Sequence, residues 1–432
     1  VKRQHRRVGG LLVAAGVISV SACTSNDDRG DYVTLRVMNW ATNLELTTEQ
    51  AIADKFAAEH PGVRVIVESI VSNYGEKLIS AIASGTPPHV FLLDVPDIPA
   101  FVERNLVLDL SPYIGRVGFE AAEVFPEVLD VFQRGDRLFA FPKGFTPMVV
   151  YYNKNIFSRL GVPEPPDSSW TWSEFLATAR ALAQDEDGDG RKDVFAMNFP
   201  RLLWEWMPWV WSGGGDIMDP SGTQTSGYLD GEATVRALEF LTSLVTEFEV
   251  IPPVGYRDEG DPLRVGRFFV GRQAMLASGH WNMPRLKEYQ AQGVLDIGIA
   301  PIPHREGAAP RTVIYSAGWA VPLNVRNKRL AVELAAFLAG EEAQLMRAES
   351  GLEIPVIRRV AEALALADTT GVEAGFLAQV KNARTPWGAR VMDFHEVERL
   401  AVDVMDMRLL QGTPIAEAAA ITARRIDEVI IR

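Results

Sequence analysis

Residues 137–161, RLFAFPKGFTPMVVYYNKNIFSRLG, decide how this 432-residue chain is read. An apolar strand reaches Phe141, Pro142 and Gly144 interrupt it, and Met148 to Tyr152 begin a second β-rich run that ends in a polar turn at Asn153. Such a break is how a backbone leaves one folded body and enters another. Just beyond stands PEPPDSSWTWSEF, where Pro163, Pro165 and Pro166 stop any helix. Thr171 and Glu174 have the T-x-x-E form of a capping box, so a new helix is expected from about Trp172.

Upstream, residues 33–37 alternate as a strand, and NWATNLELTTEQ turns into a helix with Thr47 and Gln50 at capping-box spacing. Strands over 63–67 and 89–94, with a helix over 76–84 between them, complete β-α-β-α-β. That order implies a largely parallel sheet covered by helices. In such sheets ligands meet the loops at the carboxyl ends of the strands, here carrying Asn39, Trp40, Asn43, Asn73, Tyr74, Asp94 and Asp97. Asp94 is the candidate acceptor for ligand hydroxyls, against the plainer reading of a turn-capping aspartate.

Downstream, RLLWEWMPWVWSGGG places Trp204, Trp206, Trp209 and Trp211 ahead of three glycines. As a helix it sets Trp204 near Trp211 and puts Trp206 and Trp209 on another face. At least one of the four is expected to offer its ring to a cleft, where C–H groups of a ligand pack on the π face, with Glu205 as polar partner. RFFVGRQAMLASGHWNMPRLKE then puts Trp281 on a loop after Gly279 and a short strand. TVIYSAGWAVPLN offers Gly318 for close backbone approach and Trp319 as a second platform. QDEDGDGRKDVFA has Asp185, Asp187, Asp189 and Asp193 at calcium-loop steps. Ala196 stands where the bidentate Glu belongs, so a solvated acidic turn is preferred and no metal is assigned.

At the start, basic residues 2–7, an apolar run over 11–20 and Ser21-Ala22 before Cys23 read as an export signal over 1–22. The apolar run is far short of the roughly 20 residues a spanning helix needs. Ordinary secretion is preferred to twin-arginine export at Arg6-Arg7. Cys23 is the only cysteine, and residues 24–31 are polar and breaker-rich, as a tether would be. The formal net charge is −13, which becomes −17 once Lys2, Arg3, Arg6 and Arg7 are removed, so nucleic acid is an unsuitable partner. There is no G-x-S-x-G and no phosphate-binding glycine loop, and the six histidines are scattered without metal-ligand spacing, so no cofactor is expected.

These pieces resemble the extracellular solute-binding proteins of sugar-importing ABC transporters, the maltose-binding-protein-like family. FAFPKG…YYNKNIF…G…P…TWSEF resembles the family's passage between lobes, and SGTPPHVFLLDVPDIPAFVERNLVLDLSPYI resembles a segment in which His89 replaces the usual Asp. V-S-A-C resembles the bacterial lipobox, implying lipid on Cys23. ESGLEIPVIRRV resembles the third crossing, where Arg358 meets either ligand or a structural carboxylate. The resemblance implies an α/β, two-lobe, type II periplasmic-binding-protein-like fold with three hinge crossings. Its lobes would be 33–142 with 302–350, and 143–301 with 351–432, after a linker over 23–32. The ligand set it implies is Trp40, Asn43, Tyr74, Asp94, Phe145, Glu205, Trp206, Trp209, Trp281, Gly318, Trp319 and Arg358. The expected protein is a monomer, lipid-anchored outside the cell membrane, that carries a di- or oligosaccharide to permease subunits and is not an enzyme. Two alternatives stand: an exported glycoside hydrolase and a binder of a non-sugar solute.

Overall fold

The computed structural model describes residues 32–253 and 266–430. Cys23 and most of the Pro/Gly loop before Arg267 therefore lie outside the described residues. The strands in chain order are β1 (Val33–Asn39), β2 (Val63–Ser69), β3 (Val90–Asp94), β4 (Gln133–Arg134), β5 (Arg137–Leu138), β6 (Phe141–Pro147), β7 (Val149–Asn153), β8 (Met275–Ser278), β9 (Ile297–Ala300), β10 (Thr312–Ala320) and β11 (Ala383–Arg384).

Strand β1 pairs in parallel with β2 and β3, so that Val37 stands opposite both Val67 and Val90. The helices Asn43–Glu59 and Tyr74–Ala83 make the return connections that parallel strands require. The first of these helices starts before Thr47, and Gln50 serves elsewhere: its Oε1 accepts from Val67 N–H at 3.3 Å and its Nε2 donates to Asp54 at 2.8 Å. Strand β10 extends the sheet antiparallel to β3 on one edge and to β6 on the other, and pairs at its start with β11.

Pro142 and Gly144 do not interrupt the chain's first passage, because β6 runs through both. The register opposite β10 shifts between Ala317 and Gly318, which pair with Gly144 and Pro142, leaving Lys143 in the bulge. A bulge accommodates a residue without ladder bonds, so the proline there does not end the strand. The break falls instead between Pro147 and Val149. Strand β7 then enters a separate antiparallel sheet of order β8-β7-β9. Alternation along β7 sends Val149 and Tyr151 into one core and Val150 and Tyr152 into the other. Asn153 caps the helix Lys154–Leu160 by accepting from Asn155 N–H at 3.0 Å, and the capping box at Thr171 and Glu174 forms as expected. The third crossing runs beside the first: Ile354 bridges to Phe145 and Ile357 to Val124.

The bulge turns Lys143 into a buried cluster of charges. Its ammonium lies 3.4 Å from Glu45 and 3.6 Å from Glu49, and it pairs with Glu353 on the third crossing. Arg347 grips Glu49 with two bonds of 2.7 Å and donates to Leu338 O at 2.6 Å, and both side chains are about 1% exposed. Burial alone would raise the Glu49 carboxyl, but Arg347 and Lys143 outweigh it and hold the group below 4.5. Its stabilising effect is therefore complete above 4.5 and is lost as pH falls through the depressed folded value. Removing one partner strands a buried charge. Arg347→Met should cost about 3–5 kcal/mol in urea unfolding at pH 7, and the double change with Glu49→Met should recover most of it. Equal losses in the single and double variants would refute the pairing.

Candidate functional site

The carboxyl ends of β1 and β3 bring Trp40, Tyr74 and Asp94 together. Trp40 meets Tyr74 edge to face, with ring centroids 5.0 Å apart. The Tyr74 hydroxyl faces the sheet, 2.7 Å from Leu92 O and 3.1 Å from Met38 O, so only its ring is left for a ligand. Asn43 opens the helix Asn43–Glu59, and its side chain lies outside the described residues.

Asp94 accepts one bond, from Val95 N–H at 2.8 Å, and its other oxygen has no partner among the described residues. The side chain is crowded by protein yet exposed to solvent. Burial, then Asp97 and Glu398, push its carboxyl up to about 6 against the pull of Val95 N–H and His395, and its solvent access moderates that rise. His395 reaches over from the helix Phe394–Gln411, 3.1 Å from Asp97 and 3.4 Å from Glu398. Those two bonds push the imidazole up to about 10, so it is cationic at neutral pH.

A second aromatic group stands beyond the end of β3, where β10 continues past Ala317, the partner of Asp94. Trp204 and Trp281 lie 5.8 Å apart at 75°, and Tyr315 of β10 is 6.2 Å from each. The Tyr315 hydroxyl donates to Trp204 O at 2.9 Å. Burial raises its phenol, and Glu398, Glu205 and Asp94 are near enough to raise it further; Asp94 pairs with Ala317, two residues along β10 from Tyr315. Trp281 is 37% exposed. Its turn is held by His280 N–H donating to Thr146 Oγ1 at 2.7 Å and by Tyr151 donating to Gly279 O at 2.9 Å. Position 279 must be glycine, because a Cβ there would lie 2.3 Å from the Trp281 ring. The Asn282 amide is spent on Ser278 Oγ at 2.7 Å.

Several expected ligand contacts lie elsewhere. Trp206 and Trp209 are fully buried, because the apolar face of the helix Leu203–Ser212 packs into the second core and leaves Trp204 half-exposed. Glu205 is buried and accepts from Arg201 N–H at 2.9 Å and Leu202 N–H at 2.8 Å, closing that helix's first turn. Trp319 is buried in the first core, four residues and about 13 Å along β10 from Tyr315. Gly318 serves packing, since a Cβ would meet Ala140 at 2.7 Å and Phe132 at 2.8 Å. Phe145 is buried against Phe125 at 5.1 Å. Arg358 is exposed at the start of the helix Arg358–Ala367, its nearest acceptor Ala122 O at 3.4 Å. Trp387 donates with Trp211 to Asp216, at 2.7 and 2.8 Å. Of the acidic loop, Asp185, Asp187 and Asp193 approach within 4.8 Å, but Asp193 accepts the N–H groups of Glu186 and Asp187, Asp185 those of Gly188 and Gly190, and Asp187 that of Asp189. The sequence reading had not assigned Tyr315, His395 and Glu398, although the alternation of IYSAGW marked Tyr315 and Trp319 as facing one way.

Two lobes joined by three crossings, with aromatic rings and a carboxylate gathered near them, define a ligand-binding protein that holds its solute between domains. The chain belongs to the bacterial extracellular solute-binding protein family, whose pattern matches residues 41–345. It is similar to a probable ABC transporter-binding protein of Deinococcus radiodurans, 26% identical over 285 residues, which are 64% of each chain. It is also similar to the galactooligosaccharide-binding protein of Bacillus subtilis, 22% identical over 359 residues, or 81% of this chain and 80% of that one. Among solved structures, an ABC substrate-binding protein of Listeria monocytogenes in complex with cycloalternan superimposes with TM-score 0.81 at 21% identity, covering 92% of this chain and 99% of that one. Among the described residues no helix is long and apolar enough to cross a membrane.

The placement of the tryptophans has a measurable consequence. Trp206→Ala should lower stability by about 3–5 kcal/mol in chemical denaturation, whereas Trp281→Ala should cost less than about 1 kcal/mol. A reversed order would contradict the assignment of core and cleft.

Proposed function

We propose that this protein captures a sugar, a di- or oligosaccharide, in the cleft and delivers it to the membrane subunits of an ABC importer. The observation that carries the reading is the gathering of the rings of Trp204, Trp281 and Tyr315 on one side, and of Trp40 and Tyr74 on the other, near the half-open carboxylate of Asp94. Ring faces take up the apolar side of a pyranose, and an ionised carboxylate accepts its hydroxyls. The sugar names carried by the Bacillus and Listeria relatives support the same class. In this reading Cys23 carries lipid and anchors a monomer on the outer side of the cell membrane, with no nucleic-acid partner. The lobes are 33–142 with 302–350 and 143–301 with 351–432. A micromolar ligand supplies about 8 kcal/mol, enough to favour closure of the lobes by several kcal/mol.

The test is a thermal-shift screen of the purified protein against mono-, di- and oligosaccharides, with chromatography of each sugar afterwards. A ligand at 100 times its Kd adds about 2.7 kcal/mol of stability. The sugar should be recovered intact. Cleavage would establish the hydrolase reading instead, and silence across the panel would move the search to non-carbohydrate solutes. For a sugar that binds, Trp281→Ala should weaken affinity at least about tenfold, or 1.4 kcal/mol.

Binding should also depend on pH in one direction. The ionised form of Asp94 is the hydroxyl acceptor, so affinity should rise as pH passes upward through about 6 and level off above it. Calorimetry at pH 5, 6 and 7.5 reads this, and Asp94→Asn should flatten the profile. A profile flat in the native protein removes Asp94 from the site.

A further inference from the structure

The charge around Asp94 is out of balance. Asp97 lies just beyond it in the chain, and Glu398 comes from the helix Phe394–Gln411 that also supplies His395. These two carboxylates and the one imidazole are the charged groups that act most strongly on the Asp94 carboxyl. His395 points one ring nitrogen at Asp97, 3.1 Å away, and the other at Glu398, 3.4 Å away. An imidazolium has only two N–H groups, so it has none left for a third carboxylate. Three carboxylates therefore stand against a single cation.

The same sign prevails at the rings. Among the described residues, the charged groups that act on the Tyr315 phenol are Glu398, Glu205 and Asp94, and those that act on Tyr74 are Asp97 and Asp94. All of them are carboxylates. Two cations on neighbouring segments are committed elsewhere, Arg201 donating to Asp406 at 3.0 Å and Lys143 enclosed by Glu45, Glu49 and Glu353. Trp204, Trp281 and Tyr315, with centroids about 6 Å apart, add the negative faces of their π systems, which attract a cation in the same way.

This imbalance discriminates among solutes. Asp94 is exposed, and no described residue bonds the oxygen that Val95 N–H leaves free. A neutral hydroxyl can donate to that oxygen, but it leaves the excess charge as it was. A phosphate or carboxylate on the solute would add to the excess. An ammonium group makes the same hydrogen bond with charge on both partners, which strengthens it, and it lowers the excess as well. Burial, then Asp97 and Glu398, make the Asp94 carboxylate unfavourable to ionise, and a cation beside it relieves part of that penalty.

We infer that the solute this cleft prefers is an amino sugar, whose protonated amino group donates to the open oxygen of Asp94 while its pyranose ring lies among the aromatic faces. The inference rests on the sugar reading above and narrows it from sugars in general to cationic ones. Asp94 makes the bond. Asp97 and Glu398 set the sign of the field without touching the solute, and His395 holds the two of them in place.

The test is calorimetry on the full chain at pH 7 with matched sugars: glucose against glucosamine, galactose against galactosamine, and cellobiose against the glucosamine dimer of the same linkage and its N-acetylated form. In at least one pair the amine should bind at least about tenfold tighter than its neutral twin. Added salt should narrow that gap, and acetylation should remove it by taking away the charge. Asp94→Asn should bring the two members of the pair together while thermal unfolding stays cooperative. Neutral sugars that bind, with amines no tighter, would overturn this inference and leave the sugar reading standing. No binding by any sugar, charged or neutral, would remove the sugar reading and this inference with it. A tenfold preference that survives acetylation, or that survives in folded Asp94→Asn, would also overturn the assignment, because the ammonium would not be what Asp94 holds.

Discussion

The backbone of β10 has to be satisfied along its whole length, and the rest of the molecule is arranged around that obligation. Val313, Ile314, Trp319 and Ala320 are fully buried, so their N–H and C=O groups have no water to turn to. Three different strands supply partners: β11 to residues 312 and 313, β6 to residues 314–319, and β3 to residues 317–320. The first of these follows the third crossing, the second is the first crossing itself, and the last ends at Asp94. A slip of one residue would turn Tyr315 away from Trp204 and the cleft. Register in this one strand thus sets where Tyr315 falls relative to Asp94, the partner of Ala317 two residues on.

Charge reinforces the same junction. Lys143 sits in the bulge of β6 and draws Glu45 and Glu49 from the first helix to Glu353 from the third crossing, while Arg347 holds Glu49 from the other side. Desolvating five charged groups is costly, and a packed apolar core would be at least as stable. What the ions add is direction, because an ammonium held by three carboxylates has few alternative placements. Gly144 belongs to this arrangement, since a Cβ there would lie 2.2 Å from Glu353 Oε2. The crossing can lie so close to the strand only because that residue has no side chain.

Much of this was legible in the chain. The capping box at Thr171, the end of the strand at Asn153 and the parallel pairing of the first three strands follow from local rules that tertiary contacts did not override. The site was legible in part. Trp281 announced itself by a glycine two residues earlier, and Asp94 by its place at a strand's end. The four tryptophans misled because helical spacing tells which of them share a face and not which face the core takes. Trp206 and Trp209 fill that core, and Trp204, on the opposite side, meets Trp281. Glu205 looked like a ligand partner, but a carboxylate at the third position of a helix meets the unpaired N–H groups of its own first turn before it meets anything else. Tyr315 and His395 were hidden because their significance comes from what lies across the cleft, which no local pattern encodes.

The chemistry left open in the cleft bears on whether it binds or reacts. His395 is clamped between Asp97 and Glu398 and stays charged through the neutral range, so it is unsuited to passing a proton back and forth at neutral pH. The hydroxyl of Tyr74 is committed to main-chain carbonyls, that of Tyr315 to Trp204 O, and Glu205 to a helix terminus. Asp94 keeps an oxygen without a partner among the described residues, and burial pushes its carboxyl up to about 6. One such group is half of what glycoside hydrolysis requires, because the reaction needs a second carboxyl at a fixed spacing across the bond. Glu398, the nearest candidate for that second role, is tied to the cationic imidazole. A cleft with many ring faces and few uncommitted polar atoms spends its free energy on holding a solute, and that balance suits capture and release.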